Sequence, residues 1–139
     1  MKGTNLQEVF DAFFIKVPSI DFSEKENQVI QFLKSAIAHC HKHTYDNLEY
    51  FYDEDLENGY FYNTISIDSI ELISMFMTID CFQQRFSLIN MRRQYLGTNA
   101  FNKIPSNKED FENTKNSLDY WRNRIDRYLM EFPEYSDER

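Results

Sequence analysis

Residues 67–97 read IDSIELISMFMTIDCFQQRFSLINMRRQYLG and form the longest helical pattern in the chain. No glycine or proline interrupts it before Gly97, so the spacing predicts one helix over 67–96. At 1.5 Å per residue this helix is roughly 43 Å long. Its first half is apolar nearly all round, whereas three arginines lie in its second half. We therefore expect the first half to be the buried centre of the fold, and Gly97 to take a positive φ after the helix end.

Three more helices are predicted around this segment, at about 4–16, 23–43 and 106–132. Each of the four helices begins with a capping-box pattern, in which a short polar N-cap residue precedes Gln or Glu by three positions. The expected N-caps are Thr4, Ser23, Asp68 and Ser106.

The last predicted helix carries a stripe of side chains at alternating spacings of three and four, which is a heptad pattern. We interpret the stripe as intramolecular packing in a bundle, with a coiled-coil contact to another chain as the alternative. Its members are Phe111, Thr114, Leu118, Trp121, Ile125, Tyr128 and Phe132.

The segment 44–66, TYDNLEYFYDEDLENGYFYNTIS, lies between the second and third helices and holds six acidic residues but no Lys or Arg. Asn58-Gly59 is a turn signal between two aromatic triplets, 50–52 and 60–62. The triplets either pair as a short hairpin or belong to an irregular loop. We favour the loop, because an isolated hairpin is only marginally stable.

The composition places these elements in one domain spanning 1–139. The chain has only three glycines and three prolines, which disfavours turn-rich all-β folds, so the predicted class is an all-α bundle of about four helices. The N-terminal acids argue against a secretory signal, and the apolar stretches are too short to cross a bilayer. We therefore expect synthesis in the cytoplasm.

Charge is distributed unevenly along the chain. With 15 basic and 23 acidic residues the net charge is −8, which disfavours a protein that binds nucleic acid through bulk charge. Residues 1–81 hold five basic and 14 acidic side chains, net −9, whereas residues 82–139 hold ten and nine, net +1. A chain with this asymmetry can associate head to tail or around a ring, and such an assembly should weaken in high salt.

No catalytic motif stands out, so we expect a protein that is not an enzyme and that needs no cofactor. His39 and His43 have the spacing of two metal ligands on one helix, but no further ligand cluster accompanies them, and we predict no metal site. Cys40 and Cys81 lie in apolar helical stretches, where free cysteines behave as small buried hydrophobes. The acids at 53–55 are interpreted as a solvated face.

Two groups of side chains are candidates for protein contacts. The aromatic triplets either cap the core or anchor an interface with neighbouring acids, since Tyr and Phe are enriched at interfaces. Arginines of the third and fourth helices can form a basic patch if these helices pack antiparallel, with a solvated helix face as the alternative. The candidate interface residues are Tyr50, Phe51, Tyr52, Asp53, Asp55, Tyr60, Phe61, Tyr62, Arg92, Arg93, Arg122 and Arg124.

The segments GYFYNTISIDSIELISMFMTIDCFQQRFSLINMRRQYLG, at 59–97, and IPSNKEDFENTKNSLDYWRNRIDRYL, at 104–129, resemble the small helical head-tail connector proteins of tailed bacteriophages. The resemblance lies in an aromatic-Asn step into a capped helix, a long apolar helix with a basic end, a short connector and a heptad-like last helix. It covers about half of the chain.

This resemblance implies a structural virion protein. Such a protein forms a neck ring of about a dozen copies, bound to the portal protein on one side and to another neck or tail protein on the other. The resemblance implies that DNA passes through the ring without specific binding. If the acids line the channel, they repel the DNA.

An alternative from another class is an acidic inhibitor or immunity-type protein that binds a basic target through the loop 44–66. If the loop is an interface, replacing Tyr50 and Phe61 should spare folding and weaken partner binding. The two hypotheses differ in assembly, because a connector forms rings whereas an inhibitor forms a complex of low stoichiometry.

Overall fold

The computed structural model describes residues 2–23, 25–56 and 58–131. The described residues are mostly helical and include one small two-stranded sheet. In chain order the elements are α1 (Leu6–Lys16), α2 (Glu26–Cys40), β1 (Tyr50–Asp53), β2 (Asn58–Phe61), α3 (Ile67–Leu96), α4 (Thr98–Asn102) and α5 (Pro105–Glu131).

Helix α3 is the central element of the fold. Helices α1 and α2 pack on its first half, and α5 packs beside it. The contacts Tyr128 to Asp68 and Arg92 to Asn107 join opposite ends of the two helices, so α5 runs antiparallel to α3. The first half of α3 buries Leu72, Ile73 and their neighbours in the core, as its all-round apolar pattern predicted.

The preference for an irregular loop at 44–66 was wrong, because β1 and β2 form an antiparallel hairpin in which Tyr50 pairs with Phe61 and Tyr52 with Gly59. The hairpin is not isolated. The Phe61 amide donates to the Thr4 carbonyl at 2.7 Å, and its carbonyl accepts from the Gly3 amide at 2.9 Å. The N-terminal segment thus occupies the second edge of β2, which supplies the stabilisation that a lone hairpin lacks.

The predicted N-caps are wrong because tertiary contacts use those side chains differently. Thr4 is buried and its hydroxyl accepts from the Ile65 amide at 3.0 Å, so Asn5 caps α1 instead. Ser66, not Asp68, caps α3 by accepting from the Ser69 amide. Its own amide donates to Asp46 Oδ2 at 2.9 Å, the role that a Glu three residues into the helix fills in a capping box.

The two other predicted N-caps are also displaced. Ser23 precedes α2, whose N-cap is Lys25 without a side-chain hydrogen bond. Ser106 lies inside α5, which begins at Pro105, because proline suits the first helical position. Helix α2 ends at Cys40, three residues before the predicted end at 43.

The chain between α3 and α5 forms a fifth helix that the sequence pattern did not predict. Helix α3 ends at Leu96 as expected, and Gly97 takes a φ of +81°, a value that glycine adopts without strain. The short helix α4 follows at once and buries Phe101 between α3 and α5. We call α3 from Arg85 onward, α4 and α5 up to Leu118 the arm.

The heptad stripe of α5 faces α3, so the prediction of intramolecular packing is confirmed for the described members. Thr114, Leu118 and Ile125 are buried, whereas Trp121 and Tyr128 are partly exposed. Phe132 lies outside the described residues. Among the helices that the structure describes, none combines the length and hydropathy needed to cross a membrane.

Candidate functional site

The two histidines considered as metal ligands do not share a helix, because α2 ends before His43. Both rings stack on Phe76, with centroid distances of 5.5 Å for His39 and 6.1 Å for His43. Burial lowers the pKa of His43, and the nearby Lys42 adds to this effect. Within residues 2–23, 25–56 and 58–131, no group of three or more His, Cys, Asp or Glu side chains is placed to hold a metal ion.

Both cysteines are free and buried, as their apolar surroundings predicted. Burial raises the pKa of Cys40 to about 12 and that of Cys81 to about 11. A thiol with so high a pKa is almost entirely protonated at neutral pH and is a poor nucleophile. The two cysteines therefore serve as packing residues.

The hairpin turns its aromatic side chains to opposite faces. Phe61 is fully buried, so its prediction as an interface residue is wrong. Tyr50 and Tyr52 pack against the core and are only partly exposed, so only part of each side chain is accessible to a partner. Because successive strand residues alternate, Phe51 lies on the outer face with Tyr60, at a centroid distance of 5.7 Å. Phe51 is 42% exposed.

Tyr62 continues this outer face beyond β2 and meets the Tyr60 ring edge to face at 5.7 Å. The Lys2 ammonium lies over the Tyr60 ring, 5.0 Å from the ring centroid. Tyr62 itself is 48% exposed. The outer aromatic surface therefore consists of Phe51, Tyr60 and Tyr62.

The acids of the hairpin turn fall into structural and exposed groups. Asp53 accepts hydrogen bonds from the Asp55 and Leu56 amides, at 2.9 and 3.3 Å, and so shapes the turn. Asp55 and Glu54 are exposed, and Leu56 projects beside them. The turn thus presents carboxylates around one exposed apolar side chain.

Asp46 belongs to the fold and not to an interaction surface. Its Oδ2 atom accepts from the Ser69 hydroxyl at 2.6 Å, and from both the amide and the hydroxyl of Ser66. Burial alone would raise its pKa, but the hydrogen bonds from Ser69 and Ser66 outweigh burial, and the net pKa is lowered. Ionised Asp46 therefore ties the loop after α2 to the start of α3.

A shallow apolar cleft opens between the end of α2 and the hairpin. It has a volume of about 540 Å³, and we call it the hairpin cleft. Among its lining side chains, Glu49 brings the only full negative charge, and Tyr62 forms part of its rim. The lining residues are Ile37, His41, Asn47, Leu48, Glu49, Tyr50 and Tyr62.

The candidate arginines do not form one patch, although α3 and α5 do pack antiparallel. Arg92 donates to Asn107 Oδ1 at 3.2 Å, and the Arg93 guanidinium lies 4.9 Å from the Phe111 centroid, both near the start of α5. Arg122 donates to Gln83 Oε1. It is 15 residues further along α5 than Asn107, or about 22 Å along the helix.

Arg124 lies still further from the arm, in a second cleft that also contains Glu71 and Glu131. Glu71 pairs with Lys16 at 2.9 Å, and Arg127 lines the same cleft as Arg124. The predicted basic patch is therefore divided between the arm and the opposite end of α5.

The arm exposes an apolar stripe that the sequence analysis did not identify. Leu88, Met91 and Tyr95 are 58%, 64% and 89% exposed. At 100° per residue they lie on one face of α3, opposite Ile89 and Arg93, which face α5. We call these three residues the arm stripe.

The arm stripe continues the face of α3 that α2 covers in the first half. Gln28, near the start of α2, donates to Gln84 Oε1 at 2.7 Å, and α2 extends no further along α3. The spacings of three and four between Leu88, Met91 and Tyr95 indicate in the sequence that the three side chains share one helix face. Whether that face is exposed depends on where α2 begins.

The hairpin and the arm stripe thus lie towards the two ends of α3, and both carry exposed aromatic side chains. In comparisons with known proteins, no family model, no curated protein and no solved structure matches this chain.

Proposed function

We propose that this chain is a structural virion protein, a head-tail connector or neck ring subunit that joins a portal protein to a downstream neck or tail protein around the DNA channel. A subunit of this kind needs contacts with neighbours on more than one side. The observation that carries the proposal is the separation of two unlike surfaces, the acidic aromatic hairpin and the basic apolar arm, by the length of α3.

The resemblance to connector proteins adds to this argument because the two long helices in its segments pack on each other. The two segments, 59–97 and 104–129, correspond to β2, α3 and most of α5. Helix α3 packs on α5, α2 and α1, whereas β2 pairs with β1 and packs on α1. The charge pattern fits passage of DNA, since an acidic surface repels phosphates.

The test is electron microscopy of the purified chain mixed with a portal ring. We expect added density on one end of the portal, with the rotational symmetry of a ring of chains. Leu56→Asp in the hairpin turn should reduce binding to the portal ring, whereas Ile15→Asp, at a similarly exposed apolar residue on α1, should not. A portal that stays bare at saturating concentrations of the chain contradicts the proposal.

A second candidate function is an acidic inhibitor that binds a basic protein through the hairpin. The observation that favours it is the turn at 53–56, where Glu54 and Asp55 are exposed around Leu56, next to the outer aromatic face. Mass measurement separates the two functions. An inhibitor gives a discrete complex of low stoichiometry with its basic target, whereas a connector gives a ring.

A further inference from the structure

We propose that the arm stripe of one copy of this chain docks into the hairpin cleft of a second copy, in a head-to-tail contact. This inference deepens the proposed ring function and rests on it. It identifies the two surfaces through which neighbouring subunits meet.

The arm stripe is the part of a helix-packing face of α3 that α2 leaves uncovered. In the first half of α3 the same face is covered by α2, down to the contact between Gln28 and Gln84. Beyond that contact three apolar side chains in succession are exposed, and Tyr95 is the most exposed large apolar residue of the described chain. A contiguous exposed apolar face of this kind marks a site of protein contact.

Charge complementarity identifies the occupant as a second copy. Arg85 and Arg92 are seven residues apart and border the arm stripe along one edge, and the chain has no Asp or Glu from 81 to 108. On its hairpin side the cleft contains Glu49, within a stretch from 43 to 84 that has no Lys or Arg, and on its α2 side it contains His41. The same chain thus carries a basic apolar surface and an acidic apolar cleft, which suit each other.

The contact cannot form within one chain. The hairpin cleft lies near the start of α3, where Asp46 is bonded to Ser69, whereas Tyr95 is 26 residues further along the same helix. That distance is about 39 Å along a continuous helix without glycine or proline. One chain therefore cannot fold its own arm stripe back into its own cleft.

A contact between two different surfaces leaves one surface of each kind free at the ends of the assembly, so the same contact can form again with each added copy. Such heterologous contacts generate a closed ring when the rotation between neighbours closes, and an open filament when it does not. The docking therefore supplies the geometry that a ring subunit requires.

Sedimentation velocity of the full chain over a range of concentrations tests the inference. Wild type should form oligomers, which weaken when NaCl rises from about 0.05 to about 0.5 M because the arginine and glutamate charges are screened. Tyr95→Asp should weaken association at least about tenfold, as expected for an aromatic anchor. Arg85→Glu should act in the same direction, so the test does not depend on one substitution.

Tyr120→Asp is the matched control, because Tyr120 is an exposed tyrosine of α5 outside the stripe. It should associate as wild type does. Circular dichroism and thermal melting of each variant establish that it is folded.

Mixing two inactive variants tests the head-to-tail geometry. Tyr95→Asp keeps an intact cleft, and Tyr62→Arg places a cation on the rim of the cleft but keeps an intact arm. At a concentration at which each variant alone is monomeric, an equimolar mixture should form a one-to-one heterodimer that grows no further.

Four results overturn the inference: a monomeric wild type at every concentration, unchanged association of Tyr95→Asp, an equal loss in Tyr120→Asp, or a mixture that stays monomeric. Failure of the docking and failure of the connector function are distinguishable. If Tyr95→Asp still forms a ring on the portal, the docking is wrong and the connector proposal stands, whereas a portal that stays bare counts against the connector.

Discussion

Replacing Phe61 with alanine tests the central difference between the expected loop and the observed hairpin. The Phe61 side chain is fully buried and meets Tyr50 edge to face, at a centroid distance of 6.3 Å. Truncation of a buried phenylalanine costs about 3–5 kcal/mol of unfolding free energy, because apolar burial is lost and a cavity remains. The sequence pattern predicted the opposite, that replacement of Tyr50 and Phe61 spares folding.

The expected shift in melting temperature follows from the size of the chain. An unfolding entropy of about 2.1 cal/mol/K per residue gives about 0.29 kcal/mol/K for the 139 residues. A loss of 3–5 kcal/mol therefore lowers the melting temperature by about 10–17 °C. Thermal melts followed by circular dichroism, with urea unfolding for the free energy, measure both quantities.

Phe51→Ala is the matched control, since it removes the same ring from the outer face of the same hairpin. Its cross-strand contact with Tyr60 contributes roughly 0.2–1 kcal/mol, so the melting temperature should fall by less than about 4 °C. Equal losses in the two variants, or a Phe61→Ala protein within about 1 kcal/mol of wild type, would refute the assignment of the hairpin faces.

Three further substitutions test particular contacts. In Gly59→Ala the new Cβ would stand 2.2 Å from the Phe51 carbonyl oxygen and 2.8 Å from Leu6 Cδ1. The hairpin must move, so we expect a loss of about 2 kcal/mol or more in urea unfolding, and an unchanged midpoint would count against this packing. Hydrogen bonds lower the folded pKa of Asp46 below its ordinary value of 3.8, so its stabilisation is present above that pH and is lost as the pH falls through the folded pKa. Asp46→Asn should therefore melt lower at neutral pH and show a weaker acid dependence, and parallel pH profiles would contradict this. Burial raises the folded pKa of Asp80, whose Oδ2 is buried without a hydrogen-bond partner in the described part of the chain, so stability falls as the pH rises through that pKa. Asp80→Asn should melt higher than wild type at pH 7 and lose this advantage in acid, whereas a lower melting temperature at pH 7 would show that the carboxylate is stabilising.

Local sequence spacing was sufficient for the features that depend on neighbours along the chain. The bounds of α3, the positive φ of Gly97 and the inward face of α5 follow from helical periodicity and from the absence of helix breakers. The burial of Cys40 and Cys81 follows from the apolar stretches around them. Each of these properties is set within a few turns of one helix, where side-chain spacing and backbone conformation are directly coupled.

The candidate site could be predicted only in part. The acidic aromatic segment was identified, but not which of its rings point inward, because the two faces of a strand become distinct only when one of them meets a core. Phe61 and Phe51 are of the same residue type and differ only in register. The basic patch was over-predicted, since Arg92 contacts Asn107 near the start of α5, whereas Arg122 lies about 22 Å further along that helix than Asn107.

Spacing along the chain determined the four long helices of this protein, whereas the tertiary structure alone decided the short helix α4, the hairpin, the N-caps and the exposed surfaces. The hairpin is stabilised by the N-terminal residues Gly3 and Thr4, which are more than 50 residues away in sequence. Asp46 completes the cap of α3 from a distant loop. The arm stripe is exposed because α2 extends no further along α3 than Gln84. Contacts between segments far apart in the chain leave no periodic pattern in the sequence, so only the folded structure reveals them.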